Sequence, residues 1–432
     1  MVKQIAIIAD DLTGANDSGI QLTEKGINTS VLFEIPKQMN LLSEGVVIDT
    51  NSRALSREKA ISITMKSAKF IKDLHYNHVY KKMDSTLRGH IGHELQAMSS
   101  VLNPEFLVIA PAFPGMERVT KHGYHYVHGQ LIAETEIAKD PTHPVTESYI
   151  PALIEQQTGE RVGLLTKEDL QSDEHFQKKL AILKADEIRM ICCDAETEQD
   201  LKVLTHKFSK ETNRIIWAGS AGLAEVLPQV LGIEKKKQHI SYKHSSVAMT
   251  VCGSLSEKTQ AQIRYAIQQK NVAGIELNPL QMFQADWKTQ KKEYKNTCIK
   301  MITQNKDVVL YVPSNENIRT QVKELGKKKG LSNNEIGETI SDRIAELVVG
   351  VKNQLPNLNR FVLTGGDTAK SITKSLGAVG MHLIKQLEPG IPLVSLVGKD
   401  GSLVVTKAGA FGKEDSIYHA MQELKGEATT YE

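Results

Sequence analysis

The chain has 432 residues, 40% apolar and 24% charged, with aromatics at 5% and a formal charge of +2 at pH 7. This composition excludes a disordered or fibrous protein, and the near-neutral balance gives no sign of a nucleic-acid surface. The length exceeds one ordinary domain and suits two, each able to bury a core.

Residues 4–9 are a continuous apolar run ending at Asp10-Asp11, the pattern of a central parallel strand buried on both faces. A helix follows from Leu12 to about Lys25. Strands are predicted at Thr29 to Phe33, Gly45 to Asp49, His78 to Lys82 and Phe106 to Ala110, with helices at Ser56 to Leu74 and His90 to Leu102. From Pro111 to about Val145 the periodicity disappears and Gly, Pro, His and Tyr accumulate, as in functional irregular segments. Strands resume at Gly163 to Leu165, Ile188 to Cys193 and Arg214 to Trp217, and Ala218 to Leu223 reads as a strand-to-helix glycine turn. The polar, lysine-rich stretch 232–246 reads as a linker between a first domain, 1–231, and a second, 247–432. The second domain is predicted to have strands at Val247 to Cys252, Gly274 to Leu277, Asp307 to Tyr311, Arg360 to Leu363, Leu393 to Leu396 and Leu403 to Thr406. Its helices lie near Glu257 to Gln269, Lys291 to Thr303, Asn333 to Val351 and Thr368 to Leu376. Alternating strands and helices make both domains α/β with mainly parallel sheets.

Cys192, Cys193, Cys252 and Cys298 are too few and too irregular for a disulfide framework or a zinc site and read as buried thiols. With no secretory h-region after Met1 and no apolar stretch of membrane-spanning length, the expected location is the cytoplasm, with no membrane or nucleic-acid partner. His122, His125 and His128 are separated by glycines and aromatics that suit a hairpin better than a helix, so no metal site is expected from them.

Ligand sites of open α/β sheets lie at the carboxyl ends of strands. In the first domain those ends carry Asp10 and Asp11, then Asn51, Ser52 and Arg53, then the run Lys81 to Gly89. Cations there suit a carboxylate, and aspartates with hydroxyls suit a polyol, so a small polyhydroxy acid satisfies both. The second domain offers three glycine turns, Cys252 to Ser256, Thr364 to Thr368 and Lys407 to Gly412. Backbone N–H groups at such turns bind phosphate, and three at one sheet edge suit a polyphosphate. None is a Walker A motif, and the first strand is not followed by a G-x-G-x-x-G.

Six motifs in this order resemble the four-carbon acid sugar kinases over nearly the whole chain. They are residues 9–15 (ADDLTGA), 81–89 (KKMDSTLRG), 110–115 (APAFPG), 253–256 (GSLS), 363–369 (LTGGDTA) and 406–412 (TKAGAFG). The resemblance implies an N-terminal substrate domain, a C-terminal nucleotide domain and an active site in the cleft between two lobes. Carried over by motif, Asp11, Arg53, Lys82, Met83, Asp84 and Ser85 are the implied acid-sugar site, and Ser254, Thr364, Gly365, Gly366, Asp367 and Gly409 the implied ATP site. The implied reaction is ATP-dependent phosphorylation of the 4-hydroxyl of a tetronate, with D-threonate favoured by the opening stretch Asp10 to Gly19. D-erythronate, 3-oxotetronate and a non-catalytic sugar-acid or nucleotide sensor stay open as alternatives. Mg²⁺ is expected on the β- and γ-phosphates, held by one or two carboxylates. Asp367 is the first candidate for a catalytic role, as metal partner or base, with Asp84 and Asp11 its rivals; Lys82, Arg88 or Arg118 would neutralise substrate charge. A homodimer is the general expectation for soluble assemblies.

Overall fold

The structure, a computed structural model, describes residues 3–36, 42–140, 143–235, 245–398 and 402–426. Contacts divide the chain into two compact units, Met1–Gln238 and His239–Glu432. Of the linker expected at 232–246, residues 236–244 lie outside the described residues, including Lys236 and Lys237. Its first residues pack onto the first unit, where the Lys235 amide donates to the Lys25 carbonyl at 2.8 Å.

The first unit runs β1 (Ile5–Ala9), α1 (Leu12–Glu24), β2 (Thr29–Leu32), β3 (Gly45–Asp49), α2 (Arg57–Leu74), β4 (His78–Lys82), α3 (Ile91–Leu102) and β5 (Phe106–Ala110). A small antiparallel sheet follows, β6 (Arg118–Lys121), β7 (Tyr124–Val127) and β8 (Gln130–Leu131), and then α4 (Ile150–Thr158), β9 (Val162–Leu165), α5 (Asp173–Ala185), β10 (Met190–Cys193), α6 (Glu198–Glu211), β11 (Ile215–Gly219) and α7 (Ala221–Val230). Within this unit the large sheet has the order β2-β3-β1-β4-β11-β5-β10-β9, and the pairs between these strands are parallel. β1, β3 and β5 are buried along their whole length. That is the reason they read as unbroken apolar runs: helices cover both faces, and each fully buried aliphatic side chain contributes about 1.5–3 kcal/mol.

The second unit repeats the opening topology. It runs β12 (Met249–Cys252), α8 (Glu257–Ile267), β13 (Val272–Glu276), α9 (Trp287–Thr303), β14 (Asp307–Tyr311), α10 (Glu316–Lys328), α11 (Asn333–Gln354), β15 (Arg360–Thr364), α12 (Gly366–Ser375), β16 (Gly380–Glu388), β17 (Ile391–Val397), β18 (Leu403–Lys407) and α13 (Ser416–Lys425). Its strand order is β13-β14-β12-β15-β18-β17-β16, with the last two junctions antiparallel. In both units the chain builds to one side of its first strand and then crosses to the other. The resulting switch points lie between β1 and β4 and between β12 and β15, where α/β sheets open a crevice at their carboxyl ends.

The two-domain α/β reading holds, with local differences. The aperiodic segment after Pro111 holds the hairpin expected around His122 to His128, extended to the three strands β6 to β8 and tied to the end of β10 by Asp194, whose carboxylate accepts from the amides of His122 (2.6 Å) and Gly123 (2.8 Å). α10 is not among the expected helices, although Ile318, Val322 and Leu325 fall at helical spacing, because the rest of the helix apart from Gly326 is polar or charged. β16 escapes because its second half is half-buried and carries Lys385 and Gln386. All four cysteines are buried and free. Among the described residues no helix is long and apolar enough to cross a membrane.

Candidate functional site

Asp10 and Asp11 emerge at the carboxyl end of β1, and Asp11 caps α1 by accepting from the Gly14 amide at 2.8 Å. Arg53 stands in a single 3-10 turn after β3, entered through Asn51 in the left-handed conformation. Its guanidinium bridges both carboxylates, Nε to Asp10 Oδ2 at 2.8 Å and Nη1 to Asp11 Oδ2 at 3.0 Å. Lys82 ends β4 beside them. It is 5% exposed, donates to the Met83 carbonyl at 2.8 Å, and its ammonium lies 2.9 Å from where a Cβ on Gly14 would stand. Beneath this layer Lys81 is buried in an ion pair with Glu94 at 3.0 Å.

The loop after β4 is braced from within. Asp84 accepts from the Thr86 hydroxyl at 2.7 Å and from Arg88 Nε at 2.5 Å, and Arg88 also reaches Asp140 at 3.1 Å. Ser85 receives Arg118 Nη1 on its hydroxyl, and its carbonyl accepts from His125 Nε2 at 2.9 Å. The Met83 side chain is buried in the hydrophobic core, so this residue offers the site its backbone alone. Of the residues expected in the acid-sugar site, Asp11 and Arg53 are in direct contact, and charge couples Lys82 to Asp11 and Asp84 to Arg53. His122 and His128 are exposed at left-handed turn positions, away from the buried His125, so the three do not converge.

Burial works to raise the Asp10 carboxyl, but Arg53, with Lys81 and Lys82 behind it, outweighs burial and holds it below the ordinary range. For Asp11 burial and the neighbouring Asp10 prevail, and its carboxyl is raised. Asp84 is driven well down, because Arg53, Arg88 and the Thr86 hydroxyl more than offset its burial. Asp17, on α1, is pushed up to about 6 by burial, against the pull of Lys82. Burial lowers His125 to about 4, so it is neutral near pH 7 with the Nε2 proton on the Ser85 carbonyl. In the unfolded chain a histidine takes up its proton near pH 6.5. Stability is therefore lost as pH falls from about 6.5 towards 4, by about 2–3 kcal/mol. Urea melts should show this slope in the wild-type protein and its loss in His125→Gln; parallel pH profiles would contradict the assignment.

In the second unit the three glycine turns meet. The Gly253 amide donates to the Thr364 carbonyl at 3.1 Å and the Gly365 amide to the Lys407 carbonyl at 3.2 Å. A Cβ on Gly253 would stand 2.0 Å from Thr368 Oγ1, and one on Gly409 would stand 2.6 Å from Ser254 Oγ. Gly365 has φ 90°, a conformation that favours glycine, and directs the chain into α12. The first amides of a helix have no intrahelical partner, so those of Gly366, Asp367 and Thr368 face outward from the turn. Nothing lies within 4 Å of a Cβ built on Gly366, so that space is open. Asp367 is exposed in the first turn of α12. Lys407, which motif reasoning did not assign to the ATP site, is 3% exposed and binds Thr259 Oγ1 (3.1 Å) and the carbonyls of Ala408 (3.0 Å) and Gly409 (3.2 Å). Burial pushes its ammonium down to about 8. The signal was present in the sequence: Lys407 closes a buried strand as Lys82 does.

Among the described residues no group of three or more His, Cys, Asp or Glu could hold a metal ion. The donor set fits a cation carried on phosphates with one added carboxylate, and does not fit a protein cage.

A family model described as a sugar-binding N-terminal domain matches residues 5–227, more than half of the chain, and one described as a nucleotide-binding C-terminal domain matches residues 249–417. The chain is 28% identical to a D-threonate kinase of Salmonella typhimurium, covering 98% of both chains. It is 26% identical to a 3-oxo-tetronate kinase of Pseudomonas savastanoi pv. phaseolicola, again over 98% of both. The fold matches a crystal structure of a Haemophilus influenzae protein of the DUF1537 family with a TM-score of 0.79, at 23% identity, over 98% of this chain and 100% of that one. With both domain models matched and relatives of these two kinase kinds aligned over its full length, the chain belongs to the four-carbon acid sugar kinase family.

Proposed function

We propose that this sugar-acid kinase transfers the γ-phosphoryl group of ATP to the 4-hydroxyl of D-threonate, binding the acid sugar in the first unit and the nucleotide in the second. The observation that carries the reading is the bridged pair Asp10 and Asp11 on Arg53, with Lys82 alongside, at the switch point of the unit that matches a sugar-binding model. Cations and hydrogen-bond acceptors stand together there, as a carboxylate bearing several hydroxyls requires. In the second unit the turn Thr364 to Asp367, with Ser254 and Gly409 packed against one another, supplies amides for phosphate oxygens. The choice of D-threonate over D-erythronate or 3-oxotetronate rests on the opening stretch Asp10 to Gly19 and on the D-threonate kinase relative.

Thr86 and Arg88 bind Oδ2 of Asp84 and the Thr86 amide reaches Oδ1, which ties Asp84 to its own loop and makes it a weaker candidate for the base than for a brace. Asp367 is exposed beside the glycine turn and is the residue that fits a Mg²⁺ partner. When bound, that ion would offset the charge of the phosphate oxygens. Asp367→Asn is expected to lower kcat/KM for ATP by about two orders of magnitude with tetronate KM and thermal stability unchanged. Near-normal ATP kinetics would remove Asp367 from the site.

The reading is tested by coupled ADP release with D-threonate, D-erythronate and 3-oxotetronate in the presence of Mg²⁺ and ATP. It predicts turnover highest on D-threonate. Ligand binding without ADP release would identify a sensor instead.

A further inference from the structure

α1 brings one more carboxylate to the sugar-acid site than the motifs assign. Asp11 caps the helix, Gly14 lies three residues on and Asp17 three beyond that, so Asp11 and Asp17 flank Gly14, each about 60° round the helix from it. At Gly14 the face is notched: a Cβ there would stand 2.9 Å from Lys82 Nζ and 2.8 Å from Asp11 Oδ1. The Lys82 ammonium thus rests against α1 beside Asp11, and its charge acts on Asp17 further along the helix.

Of the carboxylates around it, Asp10 keeps Oδ1 without a partner but buried from solvent, and Asp11 and Asp84 are tied to neighbours. Asp10 is 2% exposed and tied to Arg53. Asp11 accepts from Arg53 and the Gly14 amide, and Asp84 from Thr86 and Arg88. Asp17 is half-buried, and the charged groups acting on it are Lys82 from β4 and Asp11 from its own helix, with no hydrogen bond among the described residues. α7, which packs on α1, presents Ala221, Leu223 and Ala224 as buried apolar residues. A carboxylate with free lone pairs, within the electrostatic reach of a cation and partly open, is available to an incoming hydroxyl.

We infer that Asp17 is the proton acceptor for the hydroxyl that becomes phosphorylated. This rests on the acid-sugar kinase reading above. The sugar hydroxyl oxygen forms a bond to the γ-phosphorus of the nucleoside triphosphate, and the bond from that phosphorus to the β–γ bridging oxygen breaks, its electron pair leaving on the diphosphate. The hydroxyl proton passes to an Asp17 Oδ atom and later to solvent. Lys82, held in the Gly14 notch, limits how far burial and the like-charged Asp11 raise the Asp17 carboxyl. An acceptor that titrates a little below neutral pH suits this task.

The test compares wild type and Asp17→Asn on the tetronate that the wild type turns over. Asp17→Asn is expected to lower kcat by about 10²-fold or more, with tetronate and ATP KM within about threefold. The wild-type profile of kcat/KM should fall tenfold per pH unit below about pH 6. The residual activity of the variant should lack that limb. The wild-type profile needs no variant, so it decides even if Asp17→Asn fails to fold: a flat profile from pH 5 to 7 overturns the role of Asp17. So does a folded Asp17→Asn with wild-type kcat. A wild-type protein that turns over no tetronate overturns the kinase reading and the Asp17 assignment with it, whereas wild-type turnover with an unaffected variant overturns Asp17 alone.

Discussion

Replacing Arg53 by methionine is expected to abolish tetronate turnover and to lower unfolding free energy at pH 7 by about 3–5 kcal/mol. The side chain is 17% exposed and serves Asp10 and Asp11, whose side chains are 3% and 26% exposed. Methionine keeps most of the volume and removes the charge. Asp10 would then be buried with the more distant Lys81 and Lys82 as its cations. The pH dependence fixes the cause. In the wild type Asp10 is held below its unfolded value, so its stabilisation is present above that value and lost as pH falls through the folded one. In Arg53→Met both carboxyls are raised and take up protons more readily folded than unfolded. The variant should therefore regain part of its stability between pH 7 and 5. Urea melts at both pH values measure this; a pH-independent deficit would point to lost packing instead. Arg53→Lys, a point charge without the fork that reaches two carboxylates, should recover only part of the loss.

Gly253→Ala is expected to weaken ATP binding by about 100-fold or more and to cost about 1–3 kcal/mol of stability, leaving tetronate binding intact. The added methyl would stand 2.0 Å from Thr368 Oγ1 and 2.8 Å from Thr368 Cβ. Thr368 has nowhere to go, being 4% exposed and hydrogen-bonded to Ser341 on α11 at 3.2 Å. The turn after β12 and the start of α12 must therefore move apart, which disperses the amides proposed to hold phosphate. Gly366→Ala is the control for folding, because its methyl meets nothing within 4 Å. Calorimetric titration with ATP and with D-threonate separates the two sites. Equal weakening of both ligands in Gly253→Ala would contradict their assignment to different units.

The parts of the fold legible in the sequence were those whose burial is uniform. β1, β5 and β15 are buried from end to end, and their apolar runs announce them. β16 was not legible, because its half-buried second part carries polar residues, whereas α10 does show Ile318, Val322 and Leu325 at helical spacing inside an otherwise polar stretch. Asp11, Arg53 and Lys82 could be grouped before any coordinates because parallel strands bring their carboxyl ends to one edge. What their types and positions could not reveal was the direction of each side chain. Met83 turns into the core, and Asp84 spends its oxygens on its own loop. Asp17 lay at a helical spacing from Asp11 and Gly14, but nothing in that spacing shows that Gly14 is the notch for Lys82. Asp140 joins the braced loop through Arg88 from a distant, non-periodic segment, a pairing that only tertiary structure makes visible.

Phosphorus NMR of a reaction containing ATP, Mg²⁺ and D-threonate tests the central claim most directly. Transfer to the terminal hydroxyl predicts a new phosphomonoester resonance split by the two methylene protons at C4, growing as the γ-phosphate signal of ATP declines. A decline matched by inorganic phosphate alone, with no ester resonance, would contradict it.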